Sequence, residues 1–230
     1  MIEPAINPSS PRRVRVKICS ICSPIDAELA VNAGADALGF IFHSESKRFL
    51  NVHEARMAMS MIPAWVMPVG VFVNPTIETL TLTIQSLNLP CVQLQGDETP
   101  DMARDIAAMG VRVIKTFKVD DPLKGKLDPW RKVYREVPQF FTGVLLETAS
   151  KEPGGSGIEN NWNAVEDLMR QNAFKMLPPV ILAGGLTPEN VGEVVKRLHP
   201  YGVDVSSGVE AQDRVKDPQK IAKFMAEATQ

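Results

Sequence analysis

Two side chains with acid–base chemistry stand at the ends of short apolar runs. Cys19 closes the run Val14–Cys19, and Glu147 follows the run Phe141–Leu146. Cys19 could act as a nucleophile or as a general base, or it could be a packed apolar residue, because most buried cysteines are inert. Burying a carboxylate beside an apolar run costs free energy, so such a residue usually has a partner of opposite charge or a function. Together the two could form an acid–base pair, although a lysine or arginine partner at the rim would also explain Glu147.

Small residues follow two later apolar runs of the chain. These residues are Gly184, Gly185, Ser207 and Gly208. Glycines and other small residues let backbone N–H groups approach a phosphate, and the positive end of a following helix adds to the attraction. We therefore predict a phosphate-binding site at these positions, with simple tight turns as the alternative.

Three further polar residues lie beside apolar runs. Arg48, in the loop after the run Ala37–Phe42, could clamp a substrate carboxylate, although a lone loop arginine is more often solvated. Gln95 directly follows the run Cys91–Leu94, and Asp204 lies within the last apolar run. We predict that all three contact the substrate.

The remaining cysteines and the histidines show no ligand spacing. Cys19 and Cys22 match C-x-x-C, but a zinc site would need a second pair of ligands, so no metal site is predicted. Cys22 and Cys91 are interpreted as packing residues. The histidines, interpreted as surface groups, are His43, His53 and His199.

Apolar runs alternate with helical patterns along the chain. The runs are Val14–Cys19, Ala37–Phe42, Val66–Val73, Cys91–Leu94, Val111–Phe117, Phe141–Leu146, Val180–Ala183 and Val203–Ser206. Continuous apolar strands are typical of a parallel sheet that is buried on both faces. Repeated β-then-α units predict an α/β fold, a single (β/α)8 TIM barrel of eight parallel strands with its active site at the carboxyl ends of the strands. A doubly wound open sheet is the alternative, but no glycine follows the first strand.

Helix starts carry a common signal, a capping residue followed by proline. Proline fits the first helical position because its missing N–H would be unpaired there, and the preceding side chain can accept from free N–H groups. Some of these pairs could instead be plain turns. The pairs are Ser23-Pro24, Asn74-Pro75, Thr99-Pro100, Asp121-Pro122, Thr187-Pro188 and Asp217-Pro218. The helical pattern between Pro122 and Val137 is poorly defined.

Composition narrows the class of protein. The chain has 230 residues, with 25 Lys and Arg against 27 Asp and Glu, so its net charge is −2. This balance argues against nucleic-acid binding through a cationic face, and the absence of any run of about 18 apolar residues argues against a membrane span. Three cysteines cannot pair fully, which favours a reducing, cytoplasmic location. We expect residues 1–13 to form a flexible leader with no secretory signal and residues 14–230 to form the barrel catalytic domain.

The ordered set of motifs over residues 14–228 resembles the phosphoribosylanthranilate isomerase family of tryptophan biosynthesis. The matching stretches are Val16–Cys19, Ala33–Phe40, Ser46–Arg48, Val69–Asn74, Val92–Leu94, Gly96–Glu98, Gly154–Gly157, Ala183–Val191 and Val203–Glu210. The resemblance implies a cofactor-free barrel that converts N-(5'-phosphoribosyl)anthranilate to 1-(2-carboxyphenylamino)-1-deoxyribulose 5-phosphate. This reaction is an Amadori rearrangement.

The resemblance also implies roles for the site residues. Cys19 matches the general base that removes the C2′ proton, and Glu147 stands where the family has the aspartate that opens the furanose ring as general acid. Arg48 matches the arginine that holds the anthranilate carboxylate, and Asp204 matches an aspartate that points into the barrel mouth. The phosphate cradle corresponds to Gly184, Gly185, Ser207 and Gly208. The implied partner is one phosphorylated small molecule, without nucleic acid or membrane, and the implied assembly is a monomer or homodimer.

The chain departs from the family pattern at the predicted site. Glu147 replaces an aspartate, Gln95 replaces a histidine, Ser20 replaces a glycine, and Asn160-Asn161-Trp162 replaces Phe-Asp-Trp. The extra methylene of Glu147 moves the carboxyl by about 1 Å, and glutamine cannot relay a proton as histidine does. Two alternatives therefore stay open: a barrel enzyme acting on another sugar phosphate, and a non-catalytic binder of phosphoribosyl ligands.

Overall fold

A closed ring of eight parallel strands forms the centre of the computed structural model, which describes residues 13–119, 123–148 and 162–230. The strands are β1 (Arg15–Ile18), β2 (Ala37–Ile41), β3 (Met67–Phe72), β4 (Cys91–Leu94), β5 (Arg112–Lys118), β6 (Phe141–Glu147), β7 (Val180–Ala183) and β8 (Gly202–Val205). Each strand pairs with the next, and β8 pairs with β1. The predicted (β/α)8 barrel is confirmed, and the doubly wound alternative is wrong because the sheet closes on itself.

Helices follow the strands and cover the outside of the barrel. They are α1 (Pro24–Asn32), α2 (Val52–Met59), α3 (Ile77–Leu87), α4 (Pro100–Ala108), α5 (Leu123–Glu136), α6 (Trp162–Arg170), α7 (Val191–Leu198) and α8 (Pro218–Ala228). The poorly defined pattern before Val137 is the helix α5. A 3-10 turn, Ser207–Val209, and a short antiparallel pair, β9 (Glu210–Gln212) and β10 (Val215–Lys216), lie between β8 and α8.

The cap-and-proline signal is right at three helix starts and wrong at two. Side chains that accept from first-turn N–H groups are those of Ser23, Thr99 and Asp217. Before α3 the cap is Thr76, and Asn74 instead lies in the left-handed region at φ 45°. Thr187-Pro188 belongs to a turn, since α7 begins only at Val191. The pair Asp121-Pro122 lies outside the described residues.

Two apolar regions hold the fold together. Inside the ring, small and medium side chains form a plug, which consists of Val69, Cys91, Ile114, Leu145, Ile181 and Ala183. A larger core fills the space between the strands and the helices, with fully buried side chains such as Phe40, Phe72 and Phe224. Since side chains alternate along a strand, residues two positions from plug residues also face the interior. This alternation directs the side chains of Gln93 and Thr116 into the barrel.

Parts of the predicted organisation fall outside the described ranges. Residues 1–12 of the expected leader and the Gly154–Gly157 stretch are not described. Within the described ranges, no helix has the length and apolar character that crossing a membrane requires.

Candidate active site

A cavity of about 560 Å³ opens at the carboxyl ends of the strands. Its lining includes every residue that the sequence analysis placed in the site. These are Cys19, Arg48, Gln95, Glu147, Gly184, Gly185, Asp204, Ser207 and Gly208. They come from loops and strand ends far apart in the sequence, and the barrel brings them around one space. A cavity of this size suits a small phosphorylated molecule.

Glu147 is the last residue of β6 and is largely buried at the cavity wall. Its Oε2 accepts a hydrogen bond from Nε2 of Gln95 at 3.0 Å. Burial, with the nearby negative charge of Asp204, raises the pKa of Glu147 above its ordinary value, while Lys118 and Gln95 oppose that shift. Among the described residues, no lysine or arginine forms an ion pair with it. The arrangement therefore favours a carboxyl that can hold a proton over a carboxylate fixed at the rim.

Gln95 holds the Glu147 carboxyl in place through a fixed amide. Its Oε1 accepts from Nε2 of Gln93 at 2.6 Å and from Oγ1 of Thr116 at 2.9 Å. An amide oxygen that already accepts two donors must direct its nitrogen the other way, which here is toward Glu147. Gln95 is thus a positioning group, and its two anchors were not predicted from the sequence.

Cys19 follows β1 directly and is 7 % exposed at the cavity. Its backbone N–H donates to the carbonyl of Val205 at 2.7 Å, which ties the loop to β8. Asp204, on the neighbouring strand, accepts from the buried ammonium of Lys17 at 2.9 Å. Asp204 thus has a cation partner inside the barrel, and Lys17 was not identified by the sequence analysis.

Arg48 is held by acidic residues rather than solvated. Its Nε and Nη2 donate to the two carboxylate oxygens of Glu210 at 2.8 and 2.5 Å. Burial opposes ionisation of Glu210, but the hydrogen bond from Arg48 and the charge of Lys216 lower its pKa. None of the described residues accepts from Nη1 of Arg48, so its two N–H groups can donate to an anion in the cavity.

The loops after β7 and β8 need glycine for steric reasons. Gly184 has φ 92° and Gly185 has φ 60°, which favour glycine. A Cβ on Gly184 would collide with the carbonyl of Thr148, and one on Gly208 would collide with the carbonyl of Leu186. Glycine therefore lets these loops pack closely against the carbonyls of Thr148 and Leu186 while they line the cavity.

Ser20 adopts a conformation that normally requires glycine. Its φ is 62°, in the left-handed region that costs most residues about 1 kcal/mol. Its hydroxyl lies 2.6 Å from that of Ser206, so a hydrogen bond joins the loops after β1 and β8. That bond fixes the side chain of the serine that stands where the family pattern has a glycine.

The remaining cysteines and histidines differ in their surroundings. Burial raises the pKa of Cys91 to about 12 and also raises that of Cys22, so both stay as thiols. His53 and His199 are exposed, as predicted, and His43 is partly exposed where it lines the cavity. No cluster of three potential metal ligands occurs within the described ranges.

A second buried lysine supports the loop that carries Gln95. Lys115 of β5 donates to Glu98 at 2.7 Å and to the carbonyl of Gly96 at 2.5 Å. Glu98 in turn accepts from the backbone N–H of Asn74 and of Gly96. This ion pair packs beside Trp130 and fixes the loop after β4.

The chain is similar to known proteins over nearly its whole length. The family model for N-(5'-phosphoribosyl)anthranilate isomerase matches residues 16–227. The chain belongs to this family. An isomerase of this name from Geobacter metallireducens is 44% identical over 216 residues, covering 94% of this chain and 98% of that protein. The Geotalea daltonii isomerase is 41% identical, covering 93% and 96% of the two chains.

Solved structures of the family have the same architecture. The isomerase of Thermotoga maritima superposes with a TM-score of 0.79 at 37% identity, covering 94% of this chain and 98% of that one. A family member in complex with reduced 1-(o-carboxyphenylamino)-1-deoxyribulose 5-phosphate superposes with a TM-score of 0.77 at 34% identity and the same coverage. The predicted family and the predicted function, isomerisation of phosphoribosylanthranilate in tryptophan biosynthesis, are confirmed. Neither alternative function is favoured.

Proposed function

We propose that the barrel mouth rearranges N-(5'-phosphoribosyl)anthranilate with Glu147 as general acid and Cys19 as general base. One observation carries this assignment. A buried carboxyl with a raised pKa and a thiol line the same cavity from strands on different sides of the ring, with β7 and β8 between them. A substrate between these two groups would meet an acid on one side and a base on the other.

Glu147 supplies the first proton. It transfers this proton to the ring oxygen as the bond between C1′ and that oxygen breaks, while the lone pair of the anthranilate nitrogen forms a C=N bond. Because Gln95 donates to Oε2, the carboxyl keeps one orientation during this step. Preorganised hydrogen bonds of this kind avoid reorganisation when the transition state forms.

Cys19 acts in the second step. The protonated C=N bond makes the C2′ hydrogen acidic, and the thiolate of Cys19 removes it, so the electron pair of the C–H bond forms an enamine. Protonation at C1′ and loss of the proton from the C2′ hydroxyl then give the ketone. Since the reaction moves protons and electron pairs within one substrate, it needs no redox or metal cofactor.

Binding groups lie around these two residues. We place the phosphate at the loops after β7 and β8, where the backbones of Gly184, Gly185 and Gly208 line the cavity beside Ser207. Nη1 of Arg48, from which no described residue accepts, would take the anthranilate carboxylate. Backbone dipoles and one arginine suffice for this anion, which agrees with a net charge of only −2.

A direct assay tests the proposed function. Loss of fluorescence of phosphoribosylanthranilate, generated in situ, would be followed with the purified protein. Turnover at a normal enzymatic rate supports the proposal. Binding of a product analogue without turnover would favour a non-catalytic binder, and turnover of a different aminoaldose phosphate alone would favour another substrate.

The phosphate assignment predicts a defect confined to binding. In Gly208→Ala the new methyl group would collide with the Leu186 carbonyl, so the loop after β8 must move away from the phosphate. We expect KM to rise about tenfold or more with a smaller change in kcat. The phosphate contact stabilises the bound substrate and the transition state equally, so its loss weakens binding more than it slows the reaction. Steady-state kinetics check this, with Gly125→Ala as control since its Cβ would meet open space. An unchanged KM in the folded variant would contradict the phosphate site.

We also propose that the chain forms a homodimer through the opposite end of the barrel. Trp65, in the turn before β3, is 95% exposed beside a cavity of about 450 Å³ whose lining is mostly apolar. A projecting tryptophan and an apolar cavity on one face are complementary to the same face of a second copy. The Thermotoga maritima isomerase, from which monomers were generated, is described as dimeric, and that structure superposes with a TM-score of 0.75.

The dimer proposal predicts a change of mass on mutation. Trp65→Ser should convert the protein from a dimer to a monomer in light scattering coupled to size exclusion, because the main apolar contact is lost. The control is Met176→Ser, which changes another exposed apolar side chain. A monomeric wild-type protein at micromolar concentration would overturn the proposal.

The role in tryptophan biosynthesis also leads us to propose a cytoplasmic location.

A further inference from the structure

Lys17 is a buried lysine that the proposed reaction does not use. Its side chain is 4% exposed, and it lies on β1 two residues before Cys19. Side chains two positions apart on a strand share a face, so Lys17 and Cys19 both face the barrel interior. Burying an ammonium is costly, and such groups usually have a structural or functional partner.

The strand register gives Lys17 its counter-charge. Lys17 of β1 lies directly opposite Asp204 of β8, and the ammonium and carboxylate are 2.9 Å apart. Burial alone would lower the pKa of Lys17, but the carboxylate of Asp204, with Cys19 beside it, outweighs burial and raises the pKa. The ammonium is therefore positively charged at neutral pH.

Gly39 on the adjacent strand shows how near the ammonium is to the thiol. A Cβ at Gly39 would lie 2.6 Å from Sγ of Cys19 and 2.9 Å from Nζ of Lys17. Both atoms therefore lie around one point, over the space that glycine leaves open. No side chain of β2 can separate the ammonium from the thiol at this position.

We propose that Lys17 is a positioning residue whose ammonium stabilises the thiolate of Cys19 and holds it toward the substrate. This inference rests on the assignment of Cys19 as general base. Asp204 weakens the stabilisation of the thiolate by Lys17, since its carboxylate binds the ammonium and repels the thiolate. The other titratable groups around the cavity that Cys19 lines are His43, Arg48, Lys118 and Glu147. Lys17 differs from them because it is buried on the strand that leads into Cys19. On its other side Lys17 lines the cavity at the opposite end of the barrel, and its charge also acts on the thiol of Cys91.

The test measures the thiolate itself. The rate of alkylation of Cys19 by iodoacetamide is followed against pH, with the modified peptide quantified by mass spectrometry so that Cys22 and Cys91 are counted separately. In Lys17→Met we expect the alkylation rate at pH 7 to fall about tenfold and the midpoint of the profile to move to higher pH. Lys17→Arg should restore most of the rate, and Asp204→Asn should raise it.

Controls separate this effect from simple destabilisation. Lys17→Met leaves Asp204 unpaired, so the double variant Lys17→Met/Asp204→Asn is used if the single variant does not fold. Lys115→Met removes the charge from another buried lysine–carboxylate pair and should leave the Cys19 profile in place. An unchanged profile in the folded Lys17 variants would overturn the inference.

The readout is independent of turnover. If the wild-type protein fails to turn over phosphoribosylanthranilate while the Lys17 variants still shift the profile, the proposed function fails and the coupling of the two side chains stands. If turnover is normal and the profile does not move, the inference fails alone.

Discussion

Replacing Cys19 by alanine or Glu147 by glutamine is expected to lower kcat by about 10²- to 10⁴-fold, the contribution that general acid–base groups make. Each variant keeps the cavity and the groups proposed to bind phosphate and carboxylate. Binding of a product analogue, measured by calorimetry, should therefore remain within a few-fold of that of the wild-type protein. Cys22→Ala is the matched control, because that thiol is half-buried outside the cavity lining and should retain activity.

The pH dependence of kcat/KM gives a second readout for Glu147. A general acid works in its protonated form, so kcat/KM falls as the pH rises through its pKa. Because burial raises the pKa of Glu147, that fall comes at higher pH than for an exposed glutamate. The residual activity of Glu147→Gln should lack this limb. A limb that survives in the variant would assign the acid to another residue.

Glu147→Asp is expected to cost about 100-fold in kcat, although it restores the acid that the family carries at this position. The shorter side chain withdraws the carboxyl by about 1 Å and removes it from the amide of Gln95, which lies at 3.0 Å in this structure. Kinetics of the purified variant, with circular dichroism to confirm folding, measure the loss. Wild-type activity would show that the position of the carboxyl is not set by Gln95.

A double-mutant cycle separates loss of position from loss of the hydrogen bond. Gln95→Leu should lower kcat by about tenfold, because one hydrogen bond to a charged or reacting group is lost. If Glu147 and Gln95 act as a pair, Glu147→Asp/Gln95→Leu should be little worse than Glu147→Asp alone. Fully additive losses would indicate that the two residues act separately.

The strands and the groups around the mouth could be predicted because each depends on a local pattern. Strands buried on both faces are continuous apolar runs, and the loops that follow them must carry the site in a barrel. Proline after a capping residue is a weaker signal, since it also occurs in turns, and for this reason Asn74 and Thr187 were misplaced.

Contacts between distant segments could not be predicted from local patterns. Lys17 and Asp204 are 187 positions apart, and Arg48 and Glu210 are 162 apart, so neither pair leaves a spacing signal. The contact between Gln95 and Glu147 also leaves no spacing signal, and in the sequence these residues are two separate departures from the family pattern. In the barrel they form one hydrogen-bonded unit. Lys17 did offer one signal, a lysine within an apolar run two positions before the candidate base.

The exposed Trp65 and the mouth that carries the proposed active site lie at opposite ends of the barrel. Two copies joined through the Trp65 face would therefore point their mouths away from each other, each open to solvent. Substrate could enter and product could leave without the pair separating. Specific activity per chain should then stay constant on dilution through the dissociation range, and any advantage of pairing would lie in resistance to heat rather than in turnover.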